Sequence, residues 1–183
     1  MNQCERNGTR QNVMKYAPTK IEELSSFVAA IRPGFKSLLK TFLEREPYTT
    51  GEPAIDELIE DTSHFMLYQE SIMKILSFLG LQMSDTYGVI KAISKKKLKG
   101  EKKDHLEKQL KDSWLQKIGN LNNFDKVWQV INDAALYAFN SPHALSTAGD
   151  SAYCAWFKAH YPSNFYEIAI THYQNKNNKK KSI

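Results

Sequence analysis

Apolar residues return every three or four positions along most of this chain, and nowhere convincingly at every second one. Ile21, Leu24, Val28 and Ile31 keep that spacing. So do Phe35, Leu38, Leu39, Phe42 and Leu43, and later Ile72, Ile75, Leu76 and Leu79. A period near 3.6 puts such residues on one helical face, whereas a half-buried strand needs a period of two. The pattern therefore predicts an all-α protein, with about seven or eight helices of ordinary length. With only 8 glycines and 6 prolines the chain is too poor in turns for an all-β fold. Its 183 residues, 42% of them apolar, suffice for one modest domain with its own core.

The stops and starts follow from local chemistry. Thr19 with Glu22 reads as a capping box in front of the first clear helix, and Pro33-Gly34 ends it. Phe65 to Tyr68 is read as extended, followed by a helix over Gln69–Leu81 and another, capped by Ser84, to about Ile93. Lys95 to Lys103 is expected to be a charged loop. Further helices are predicted over Leu106–Ile118, Phe124–Phe139 and His143–His160, and a last one over Asn164–Tyr173 behind Ser163. Met1 to Gln11 is expected to be irregular, and the lysine-rich end from Gln174 frayed.

Several functional classes drop out. The first 20 residues hold no apolar stretch of the kind a secretory signal needs, and no apolar run approaches a membrane span. Cys4 and Cys154 form neither a zinc spacing nor a disulfide framework, so a reducing cytoplasm is the expected compartment. Cys154, set among aromatics, is expected to be a buried thiol. Five histidines, at 64, 105, 143, 160 and 172, show no ligand spacing, so no metal site is expected. No phosphate-binding glycine loop and no nucleophile motif occurs. The neighbouring acids Asp56-Glu57 and Glu60-Asp61 diverge on a helix and read as acidic surface, not as a carboxylate pair for two cations. The chain carries no catalytic residue set of its own.

Charge is unevenly spread within a net +5. Nine lysines stand between Lys91 and Lys111, while seven acids and one base stand between Glu44 and Asp61. A lysine run is as a rule a solvated loop. Here it continues directly from an amphipathic helix that puts Lys91 and Lys95 on one face, so the ammonium groups are held rather than adrift. That presentation suits a triphosphate or a nucleic-acid backbone.

Four stretches in order carry a resemblance: "APTKIEELSSFVAAIRPG", "FMLYQESIMKIL", "AISKKK" and "AFNSPHALSTAGDSAYCAWFKAHYPSNFY". Together they resemble the C-family replicative DNA polymerases, the bacterial DNA polymerase III alpha subunits and their phage relatives, over roughly Asn2 to Tyr173. The resemblance implies a helical fingers domain that closes over incoming nucleotide. It places the catalytic aspartates and their magnesium in a palm outside the matched region. On that basis residues 1–34 are expected to be the end of a palm, 35–173 the fingers and 174–183 a basic flexible tail. Arg32, Tyr68, Gln69, Glu70 and Lys158 stand at family-motif positions. Lys91, Lys95 and Lys96 fall on the family's basic element, with Ile90 in place of one arginine and Ser94 in place of a glycine. Lysine lacks arginine's bidentate fork, which weakens a phosphate grip.

The expected nucleotide-binding set is thus Lys91, Lys95, Lys96, Asn140 and His143, with Lys97, Lys99, Lys102 and Lys103 on DNA. His143, behind Pro142, falls in a helix's first turn, where backbone amides attract phosphate. Tyr153, Trp156 and Phe157 are expected to pack the far half of that helix into the core. The face once covered by a palm is expected around Phe27, Ile31, Phe35 and Leu39. The reading is the fingers portion of a DNA-directed polymerase, inactive without a palm-bearing partner, binding template-primer and deoxynucleoside triphosphate in a bacterial or phage-infected cell's cytoplasm. The alternative is a non-catalytic helical module, derived from the polymerase, that binds nucleic acid or protein.

Overall fold

The computed structural model describes residues 7–137 and 139–181, and their side chains as far as 175. Cys4 and the start of the N-terminal segment lie outside the described residues. Among the described residues there are ten α-helices and no strand. In order they are α1 (Asn7–Tyr16), α2 (Ile21–Ala30), α3 (Leu39–Leu43), α4 (Pro53–Leu58), α5 (Gln69–Phe78), α6 (Met83–Ser94), α7 (Glu101–Ile118), α8 (Phe124–Tyr137), α9 (Ser141–His160) and α10 (Pro162–Lys181). Two 3-10 turns, Pro33–Phe35 and Glu60–Thr62, join them.

The helical stripes build two apolar clusters. One takes Ile72, Ile75, Leu76 and Leu79 from α5, Ile90 and Ile93 from α6, Leu110 and Trp114 from α7, and Phe124, Val127 and Ile131 from α8. Trp114 is fully buried and meets Phe124 edge-on at 5.4 Å. The other takes Tyr16, Phe27, Val28, Ala30, Phe42 and Phe65 from the first third of the chain. It is completed by Phe139, Ala144 and Ala148 from far downstream. The small residues early in α9 thus serve close packing against α2.

Three sequence expectations fail here. Phe27 is fully enclosed and Phe35 is 9% exposed, so the face around them is core and not an open palm-facing patch. Tyr153, Trp156 and Phe157 are 69%, 49% and 50% exposed, because α9 runs on past the body it packs against. Cys154 is only half-buried for the same reason. Local details differ too. Asn7–Tyr16 is helical because Tyr16 gains a stacked partner in Phe42 at 4.7 Å. α10 continues through Lys181, past the end its apolar pattern predicts. Neither Ser84 nor Ser163 is a cap, since α6 begins at Met83 and α10 at Pro162. Thr19 answers to Glu23, not Glu22: its amide and hydroxyl donate to one Glu23 carboxylate oxygen at 2.7 and 3.2 Å. Arg45 donates to the other oxygen at 2.9 Å, and these bonds hold the Glu23 carboxyl down to about 2.

Gly34 fixes how the two clusters meet. A Cβ there would lie 2.7 Å from the Asp133 carbonyl oxygen and 2.5 Å from the Tyr137 ring. Only glycine lets the Pro33–Phe35 turn lie against α8. Gly34→Ala is expected to destabilise the fold by about 1–3 kcal/mol through overpacking. Urea unfolding followed by circular dichroism measures it, and Gly88→Ala, with open space around its Cβ, serves as the tolerant control.

Candidate nucleotide and nucleic-acid interface

The motif residues gather at two places. The first is a junction around Phe139. Its carbonyl accepts from the Gln69 amide at 3.0 Å, and Tyr68 and Phe139 form an isolated parallel bridge. The Arg32 guanidinium lies 3.4 Å from the Phe139 ring centroid, a cation–π contact. Burial pushes the Arg32 pKa down, but an arginine so displaced remains charged. The Tyr68 hydroxyl shares hydrogen bonds with Ser25 at 3.1 Å and Ser26 at 3.4 Å. Arg32, Tyr68, Gln69 and Glu70 are therefore brought together with Asn140 and His143, although nothing in their sequence spacing shows it. Phe139 is the residue the sequence reading missed as a keystone, since an apolar residue before a helix carries no signal of its own.

Asn140 is the N-cap of α9. Its side-chain oxygen accepts from the His143 amide at 3.2 Å, and its side-chain nitrogen donates to Glu70 at 3.1 Å. The Ser141 amide donates to both Glu70 oxygens, at 3.2 and 3.1 Å. Pro142 has no amide hydrogen to give. The first-turn donors expected to face phosphate are thus already taken, and a carboxylate stands at the helix's positive end. His143 keeps an exposed side chain, its ring edge-on to Phe139 at 4.7 Å. Beside the junction lies a cleft of about 260 Å³ lined by Ser25, Tyr68, Glu70, Ser71 and Ser141. Glu22 and Asp61 also face it, and its one lysine, Lys74, is paired with Asp61 at 3.1 Å. That cleft is acidic and does not suit a triphosphate.

The second place is the α6–α7 connection. α6 ends in a Schellman turn: the Lys97 amide donates to the Ala92 carbonyl at 2.8 Å and the Lys96 amide to Ile93 at 2.9 Å. Lys96 takes the left-handed conformation, φ +53°, that this turn usually reserves for glycine. Gly100, at φ 56° and ψ −145°, turns the chain into α7 in a conformation open only to glycine. Ile90, Ile93, Leu98 and Leu106 pin the segment to the core. Lys91, Lys95, Lys96, Lys97, Lys99, Lys102 and Lys103 are all exposed. Among the described residues none of them has an ion pair; Lys91 lies over the Tyr87 ring at 4.8 Å. Of the nine-lysine run, Lys111 alone among the described residues is paired, with Glu107 at 3.5 Å and Asp125 at 3.3 Å. Lys102 and Lys103 sit in the first turn of α7, where the helix dipole opposes a cation.

No hydrogen bond or ring contact among the described residues joins this lysine segment to Asn140 or His143, which lie beside Phe139 and Ala144 of the other cluster. Lys158 is apart from both, near the far end of α9, with its ammonium 5.4 Å from the Tyr166 ring. Asp56 is occupied by Thr49 and Thr50, and these bonds keep its carboxyl below the usual range against the opposing effect of burial. Among the described residues no cluster of three or more acids, histidines or cysteines is placed to hold a metal ion. Among the described residues no helix is long and apolar enough to cross a membrane.

A family model, bacterial DNA polymerase III alpha subunit finger domain, matches residues 1–114. The chain belongs to that family. Similar relatives are the DNA polymerase III alpha subunits of Aquifex aeolicus (30% identical, covering 96% of this chain and 16% of the relative), Mycoplasma genitalium (28%, 99% and 21%) and Ureaplasma parvum (29%, 93% and 18%). The chain spans about a sixth to a fifth of the length of these curated relatives. The finger match includes the lysine segment, while the relatives extend the similarity across most of the chain.

Glu70→Ala should cost about 1–3 kcal/mol of stability by orphaning the Ser141 amide and the Asn140 side chain. Glu70→Gln, which keeps an acceptor, should lose less. Thermal unfolding of the two variants against the parent tests this ordering.

Proposed function

We propose that this chain is the fingers portion of a DNA-directed DNA polymerase, and that its lysine segment receives the phosphates of template-primer and incoming deoxynucleoside triphosphate. One observation carries the reading: exposed lysines without ion pairs are held by a Schellman turn and a helix start in a chain of the finger-domain family. Lys102 and Lys103 oppose their own helix dipole, a cost a bound anion would relieve. Lys91, Lys95 and Lys96 are assigned to the triphosphate, and Lys97, Lys99, Lys102 and Lys103 to the DNA backbone. His143 is the side chain of the Phe139 junction free to reach a ligand, with Asn140 holding it in place. A palm-bearing polymerase polypeptide, with its magnesium, is the proposed partner in the cytoplasm of a bacterial or phage-infected cell. The occupied amides at the start of α9 favour a second reading, a binding module without catalysis.

Two measurements bear on this. DNA affinity read by fluorescence anisotropy should be independent of sequence and fall steeply with salt. Each lysine on a phosphate should contribute about 0.9 to the slope of log affinity against log salt. Replacing Lys91, Lys95, Lys96 and Lys97 together by alanine should flatten that slope, and an unchanged slope overturns the assignment. Primer extension with magnesium and all four nucleotides should give no product from this chain alone. Template-dependent extension surviving removal of host polymerases would refute the dependence on a palm.

A further inference from the structure

The largest unexplained feature lies away from both lysines and junction. Between α9 and α10 runs a groove of about 1510 Å³, lined by Tyr153, Trp156, Phe157, Phe165, Ile168 and Tyr173 among others. Eight large apolar side chains between Tyr153 and Tyr173 are 46–71% exposed. None of the described side chains of α10 is buried, and its main packing partner is α9. The elbow at Tyr161, φ −133° and ψ 59°, followed at once by Pro162, sets the direction in which α10 leaves. A soluble chain rarely leaves an apolar surface of this size uncovered.

We infer that this groove is a homodimer interface, filled by α10 of a second copy while the partner's groove receives α10 in return. Size comes first: the groove has room for about three to four turns of a helix roughly 10 Å across. The apolar stretch of α10, from Phe165 to Tyr173, fits within that length. Area comes second. A half-exposed aromatic leaves roughly 100 Å² free, and an isoleucine exposed by half or more leaves about as much, so the six aromatics and two isoleucines offer about 800 Å² per copy. Two copies then bury about 1,600 Å², the size of a standard stable interface. Charge comes third. From Ser141 to Asn175 there are two carboxylates, Asp150 and Glu167, and one lysine, Lys158. The groove-lining part of the hairpin is therefore nearly neutral, which suits a copy of itself, and the lysines at 176, 179, 180 and 181 follow only past it. Reciprocal exchange also closes the symmetry, so association stops at two. The lysine segment on α6 and α7 stays outside this interface.

Sedimentation equilibrium of the intact chain over a wide concentration range tests the inference. The expected mass is twice 21.0 kDa at high concentration, with dissociation on dilution. Trp156→Ser and Ile168→Ser, both exposed in the monomer and so not part of its core, should each shift the equilibrium strongly toward monomer, with helix content by circular dichroism unchanged. Leu121→Ser, exposed elsewhere at 43%, should leave the dimer intact. A mass of 21.0 kDa at every concentration overturns the inference and leaves the groove to another polypeptide. A dimer indifferent to both groove substitutions overturns it equally. Neither outcome touches the salt dependence of DNA binding.

Discussion

The stacking of Arg32 on Phe139 and the pairing of Phe139 with the start of α5 hold the two halves of the structure in one arrangement. Phe139 is the point at which the chain leaves one apolar cluster and enters the other. Its ring faces a guanidinium from the first third of the chain, its carbonyl takes the Gln69 amide, and the next residue caps α9. A cation held against an aromatic face and partly shielded from water makes a stronger contact than a fully exposed pair. Three stretches far apart in the sequence are thereby one physical object. Glu70 completes it by anchoring the start of α9 through charge-assisted bonds.

This arrangement recasts what the polar residues at the start of α9 do. Asn140 and Glu70 are spent on each other and on backbone amides, so they set the position of His143 without being free ligands themselves. The lysine segment has the opposite character. Its backbone is tightly specified by a Schellman turn and a glycine, while its side chains make almost no commitments. A backbone so specified has little ordering entropy of its own left to lose on binding, while the lysine side chains keep theirs.

Much of the fold was legible because helical periodicity is a local signal. The stripes of α2 and α5 place their buried faces correctly, and Pro33-Gly34 marks a real break. The failures share a cause. Burial depends on what lies opposite, and periodicity does not say what that is. Trp156 and Phe157 carry a core-like pattern on a helix that outruns its body, whereas Phe27 and Phe35 looked like an abandoned face because their cover comes from other elements, with Tyr16 on Phe27 and Phe42 and Phe65 on Phe35. At the site, the lysine run was visible from charge alone, but the capture of the α9 amides by Glu70 needed a contact across seventy residues. The swap of Glu22 for Glu23 at Thr19 is a one-residue slip in capping geometry, the scale at which sequence boundaries are least certain.

The two clusters also differ in how far apart their members lie along the chain. The one around Trp114 draws on residues between Ile55 and Ala135, with Phe65 and Leu67 of that span going to the other. The one around Phe27 joins residues up to Leu67 to three that come only from Phe139 onward. Short-range contacts close cheaply, and long loops must be closed before distant contacts repay them. During synthesis the central cluster is therefore complete while the first helices still wait with an open apolar face, and the emergence of α9 is the step that seals them.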